Sequence, residues 1–286
     1  MAAEKKTSAP GQSGLTPKQL AEQARAESEA AERRRERTIR IVGGIVVLLV
    51  VGGLLAVGFF AGRDNGGTGA SATATPTADP NAALPTGISS DNFGVPYGSG
   101  WTSADEAKLP TLEIWEDFQC PACDQVEKAS GDQIKALADD GKVKLLYRPA
   151  TFLDVSLAAK NEASGNPNSS ARATSAWGCA IDAGKTGEYH SGVFDIQPAE
   201  EGVGYSDQQL IDLGTTVGIP EADKATFTKC VQDGTYLAWS ANSNKLFVDG
   251  GVGGTPTAYL NGVELNGSDL ADIKGLTAKI EAATAK

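Results

Sequence analysis

The sequence predicts an α/β domain with a helical block between its strands, carried behind one membrane-spanning helix. Three observations lead there. An uncharged apolar run of twenty-one residues occupies Ile41 to Ala61. Short β-type segments fall near 93–97, 112–118, 143–147, 257–260 and 263–265. Between the third and fourth of these, helix-type sequence fills a block at about 155–248. The 286 residues carry 25 Lys/Arg against 36 Asp/Glu, a formal charge of −11.

In chain order, residues 1–40 form a polar stalk. Thr16 as cap, Pro17 at the first helical position and Gln19 predict a helix starting there and running to about Arg37. Ile41–Ala61 is predicted to be a transmembrane helix, since twenty-one residues at about 1.5 Å each span a ~30 Å hydrocarbon core. The leader before it is too long for a cleaved signal peptide, so the segment is expected to remain as an anchor. Arg33, Arg34, Arg35, Arg37 and Arg40 precede the run and only Arg63 follows closely, which puts the N-terminus in the cytoplasm and the rest outside. Gly58 and Gly62 match a helix-pairing spacing, but at the membrane edge of a Gly-rich span they give little support for self-association.

Residues 62–87 are small, polar and rich in Gly and Pro, and are expected to form a flexible linker. Residues 88–286 then form the main domain, long enough for a single core. Residues 1–63 carry ten Lys/Arg against six Glu, whereas residues 88–286 carry fifteen Lys/Arg against twenty-eight Asp/Glu. An acidic domain of this kind excludes nucleic acid as its ligand.

Four cysteines, Cys120, Cys123, Cys179 and Cys230, are too few for a disulfide scaffold. The strand-like Thr111–Phe118 runs straight into Cys120-Pro121-Ala122-Cys123, and helix-like sequence follows. Pro121 then sits in the first helical turn, where its missing N–H costs nothing. Free N–H groups at the helix start favour the thiolate of Cys120, the attacking species in disulfide exchange. Cys123 lies on the same face and resolves the mixed disulfide. Zinc is the rival reading of such a pair, but no second pair accompanies it and His190 is the only histidine. No metal or other cofactor is expected.

Asp117-Phe118-Gln119-Cys120-Pro121-Ala122-Cys123, with the downstream Gly253-Gly254-Thr255-Pro256-Thr257-Ala258-Tyr259-Leu260-Asn261-Gly262, resembles the two signatures of DsbA-like thiol–disulfide oxidoreductases of the thioredoxin superfamily. More weakly, Gly187–Phe194 and Gln197–Glu200 resemble that branch's helical insertion. The resemblance covers roughly 88–286 and implies a thioredoxin fold with an inserted helical subdomain. It implies a cis Thr255–Pro256 bond facing the cysteines, with the backbone of Thr255 contacting substrate and Pro256 shaping the groove. Pro121 and Ala122 shape the motif. Where the best-known DsbA has histidine between proline and second cysteine, this chain has Ala122, which implies a less oxidising couple. The carboxylate that thioredoxins bury six residues before the first cysteine is absent, Ile114 taking its place.

The implied activity is exchange that introduces disulfides into secreted or envelope proteins. A membrane oxidase of the DsbB or VKOR kind, quinone-linked, is the implied redox partner. A reductase or isomerase, or a redox-inert peptide-binding module, are the alternatives. In an oxidising compartment Cys179 and Cys230 are expected to pair as a structural disulfide, with a free pair or a second redox couple left open. Glu116 and Asp117 are read as solvated loop acids, with help in proton transfer to Cys123 as the alternative, and His190 as a packed or surface residue rather than a catalytic one. Trp101, Trp115, Trp177 and Trp239 are read as core or groove aromatics, and Ile273, Leu276 and Ile280 as the buried stripe of a last helix.

Overall fold

Strand β2 (Thr111–Glu116) is the middle of a five-stranded sheet, and its composition shows why. Leu112, Ile114 and Trp115 are all buried, as a central strand covered on both faces requires. It pairs in parallel with β3 (Lys144–Pro149), Ile114 opposite Tyr147. On its other side it pairs antiparallel with β4 (Thr257–Leu260), Ile114 opposite Ala258. The edges are β1 (Val95–Tyr97) against β3 and β5 (Val263–Glu264) against β4, giving the order β1-β3-β2-β4-β5. The computed structural model describes residues 74–284. The predicted stalk, the span 41–61, the Gly58/Gly62 pair and residues 62–73 lie outside the described residues. Among the described residues no helix is long and apolar enough to cross a membrane.

Helix α1 (Pro121–Val126) leaves the end of β2 and passes through one π turn (Glu127–Gly131) into α2 (Asp132–Asp139). A side chain at position 131 would place its Cβ 2.3 Å from the Glu127 carboxylate, so only glycine leaves room for that acid. Seven helices follow β3: α3 (Leu153–Ser156), α4 (Ala158–Ala163), α5 (Ser169–Asp182), α6 (Thr186–Asp195), α7 (Asp207–Thr216), α8 (Lys224–Asp233) and α9 (Leu237–Asp249). The helical insertion thus spans nearly the predicted block. Helix α5 is buried over almost its whole length because its faces are Ala, Ser, Thr and Gly, small enough for neighbours to approach all round. Ser206 and Gln209 form a reciprocal capping box that starts α7. The last helix, α10 (Ile273–Thr284), buries Leu276 and Ile280 in the main core, with Ile273 partly covered, as the stripe predicted.

Two expectations need adjusting. Strand β2 stops at Glu116 because Phe118 to Cys120 turn to meet the helix start, with the Cys120 N–H bonded to Asp117 O at 2.9 Å. The expected linker 62–87 is fastened over its C-terminal part. Asn168 Nδ2 donates to Ala74 O, Asn242 Nδ2 to Asp79 O, and Thr86 donates twice to Asp182. Pro85 is buried beside Gly178. Composition alone missed this because the grip comes from side chains of the domain.

Candidate active site

Cys120 caps α1 in extended conformation, with Pro121 opening the helix. Its thiol donates to the carbonyl of Thr255 at 3.3 Å, across 135 residues of sequence. The Thr255–Pro256 bond is cis. The structure therefore brings Cys120, Cys123, Thr255 and Pro256 together, with Pro121 and Ala122 forming the turn between the cysteines. Among the described residues the Thr255 hydroxyl is buried without a hydrogen-bond partner, leaving a donor beside the sulfur.

The two sulfurs are held in opposite states. Cys120 is lowered to about 6, first by a hydrogen bond from the Cys123 thiol, with burial opposing, then by Thr255 and the N–H groups of Cys123 and Ala122. Burial pushes the Cys123 thiol well above its ordinary value, and the thiolate character of Cys120 adds to that. Both are free thiols. Cys120 is thus a thiolate at neutral pH and Cys123 a thiol, the division of labour that nucleophile and resolving residue need.

The backbone leading to Cys120 is clamped by the helical insertion. Gln197 Nε2 donates to Phe118 O at 2.7 Å and Cys120 O at 3.2 Å, and Tyr205 Oη donates to Phe118 O at 2.6 Å. Gln119 Nε2 reaches Asp154, Asn161 and Ser170, so the residue before the nucleophile is tied to α3, α4 and α5. These holders were not singled out from sequence, apart from Gln119 within the first signature and Gln197 within the helical likeness.

Asp117 and Glu116 are not the solvated loop acids expected. Asp117 is 1% exposed and accepts from Gln119 N, Ser170 Oγ and Leu153 N. Burial, reinforced by Asp154, raises its pKa well above the carboxylate range. Asp154 itself is raised to about 6 by burial, opposed by the Ala171 and Ser170 N–H groups at the start of α5. Glu116 is buried because it follows Leu112 and Ile114 on the covered face of β2. His190 is packed as expected, fully enclosed among Tyr147, Trp177, Phe118 and Phe194, yet it is also bonded to Glu116 at 2.5 Å. Two acids immediately before the motif, and a lone histidine, were the available signals.

Cys179 on α5 and Cys230 on α8 are joined by a disulfide, Cα atoms 5.9 Å apart. Trp177, Trp239 and Trp115 are core residues, and Arg148 lies over the Trp115 ring at 4.5 Å. Trp101 is half-buried and donates to Leu145 O. Among the described residues no group of three or more His, Cys, Asp or Glu gathers to hold a metal ion.

A family model described as thioredoxin matches residues 104–282. The chain belongs to the thioredoxin family. Solved structures similar to it include MdbA, a thiol–disulfide oxidoreductase from Actinomyces oris. That likeness has 21% identity and a TM-score of 0.57, over 74% of this chain and 98% of that one. BdbD from Bacillus subtilis, in its oxidised form, matches at 20% identity and a TM-score of 0.51, over 72% and 100% of the two chains. DsbA from Mycobacterium tuberculosis, also oxidised, matches at 28% identity and a TM-score of 0.49, over 67% and 98%. The first two are likenesses of fold. No curated protein matches the chain. The thioredoxin core carries the sheet, α1 and the cis-proline loop, while the inserted helices supply the clamp on the residues around Cys120.

Proposed function

We propose that this thioredoxin-family chain is a protein thiol–disulfide oxidoreductase that introduces disulfide bonds into secreted or envelope proteins outside the cytoplasmic membrane. The observation that carries the reading is the pairing of a low-pKa Cys120 with a buried, protonated Cys123 opposite the Thr255–Pro256 loop. In the oxidised protein, a substrate thiolate attacks Cys120 Sγ. The Cys120–Cys123 bond breaks, a substrate–Cys120 bond forms, and Cys123 leaves with the electron pair and takes up a proton. A second substrate thiolate attacks the first substrate sulfur and expels Cys120 as a thiolate. The substrate loses two electrons and two protons, one proton ending on Cys123 and the other in solvent.

Thr255 serves as the backbone contact for the bound peptide and Pro256 as the wall of the groove. The segment 41–61 anchors the chain with its N-terminus in the cytoplasm, and a membrane oxidase of the DsbB or VKOR kind removes the electrons. These parts rest on the sequence and on the family likeness. The test is the steady-state redox state of Cys120–Cys123 in cells, with trapping of partners by Cys123→Ser. A mostly oxidised pair and mixed disulfides to exported proteins are the expected result. A mostly reduced pair sinks the oxidase reading in favour of a reductase or isomerase, and Cys120→Ser/Cys123→Ser protein that still supports disulfide formation sinks the enzyme reading altogether.

A further inference from the structure

Four charged side chains lead inward from the surface to Cys123. The inner end is a narrow pocket of about 10 Å³, room for a single water, lined by Cys123, Glu116, Glu127, Tyr147 and Pro256 among others. Glu116 Oε1 meets His190 Nε2 at 2.5 Å. The other ring nitrogen, Nδ1, is buried and has no hydrogen-bond partner among the described residues; it faces Glu127 Oε1 at 3.7 Å. Glu127 accepts from Ser191 Oγ at 2.8 Å and is paired with Lys135. Lys135 stands 3.6 Å from Asp132, which is fully in solvent.

A buried charge cluster is a weak stabiliser compared with an apolar core of the same volume. Here it abuts a thiol that gains or loses a proton at every turnover. We propose that His190, acting through Glu116, is the proton reservoir for Cys123, and that Glu127 and Lys135 connect this reservoir to solvent. The inference rests on the exchange reaction proposed above. As the substrate thiolate bonds to Cys120, the proton of the imidazolium passes through the Glu116 carboxylate, across the pocket, to the departing Cys123. The neutral ring then recovers a proton by way of Glu127. In the reverse direction Cys123 returns the proton along the same path as it attacks the mixed disulfide.

The groups facing His190 agree with this role. Glu116 comes from β2, Glu127 from the π turn and Tyr147 from β3, with Lys135 of α2 behind Glu127; its other aromatic neighbours are Phe118, Trp177 and Phe194. Burial lowers the His190 pKa, but Glu116 and Glu127 together outweigh it and raise it to about 9. The ring therefore holds its extra proton at neutral pH. Glu116 is itself raised by burial, with His190 opposing, which keeps it able to exchange a proton.

The test is reduction of the oxidised full-length protein, purified in detergent, by excess dithiothreitol from pH 6 to 10, each rate divided by the thiolate fraction of the reductant. Acid-quenched samples are read by mass spectrometry. Wild type should react at a constant rate up to about pH 8 and fall about tenfold between pH 8 and 10 as His190 loses its proton. His190→Gln should be slower by about tenfold or more below pH 8 and lose that descending limb, while Cys120 in the reduced protein keeps its alkylation midpoint near 6. Should His190→Gln fail to fold, Glu116→Gln must give the same loss. A wild-type profile without a descending limb, or either variant with the wild-type profile and a rate within about twofold, overturns the proposal. Wild-type protein that does not oxidise a dithiol peptide at all would instead overturn the functional reading beneath it.

Discussion

Replacing Cys123 with alanine should raise the pKa of Cys120, because the Cys123 thiol is the largest influence holding it down at about 6. A hydrogen bond to a charged acceptor contributes roughly 1.5–3 kcal/mol, and a thiol is a weak donor, so the lower end applies. That corresponds to about one pH unit at 1.36 kcal/mol per unit. The Cys123 and Ala122 N–H groups and Thr255 remain, so the midpoint stays well below that of a free thiol. At pH 6 the thiolate fraction of Cys120 falls from about one half to about one tenth, a fivefold loss of reactivity. The assay is the rate of iodoacetamide alkylation of reduced protein between pH 4 and 9, read by mass of the modified chain. A Cys123→Ala midpoint unchanged at about 6 would refute the reasoning, and would mean that the helix-start N–H groups alone set the nucleophile.

The other predictions concern stability. Cys179→Ala/Cys230→Ala should lower unfolding free energy by about 4 kcal/mol, from the entropy of closing a loop across a sequence separation of 51, read as the midpoint shift in urea; a loss below ~1 kcal/mol counts against a bracing role. The depressed Cys120 contributes stability to the reduced fold that is present in full above the unfolded thiol value and is lost as pH falls through about 6. Reduced wild type should therefore gain on reduced Cys120→Ser as pH rises from 5 to 9, and urea melts with a gap independent of pH would contradict the assignment.

The Cys120–Cys123 turn was legible in the sequence because its physics is local. A strand, two cysteines three residues apart and a proline at the first helical position are contiguous, and each fixes the next. The partner loop was legible only through the likeness of Thr255-Pro256 and its flanks, since a lone proline before a strand has many ordinary uses. Glu116 and His190 could not be joined by local reasoning: they are 74 residues apart on a strand and an inserted helix. Glu116 reads as a surface acid until α6 is known to lie over its face of β2. Gln119 and Asp117 were obscured in the same way, because their partners at 154, 161 and 170 lie on three separate helices. Local sequence reports the turn that makes a nucleophile; the inserted helices decide what surrounds it.

The grip of Asn168 on the Ala74 carbonyl has a geometric consequence for the proposed anchor. With the domain held from Ala74 onward, only thirteen peptide links separate it from Ala61 at the end of the apolar run. Fully extended, they reach about 45 Å. On the proposed anchoring, a domain leashed this closely would meet its substrates within a shell one domain-width or so above the lipid, and its encounters would be governed by sharing that surface rather than by diffusion through a whole compartment.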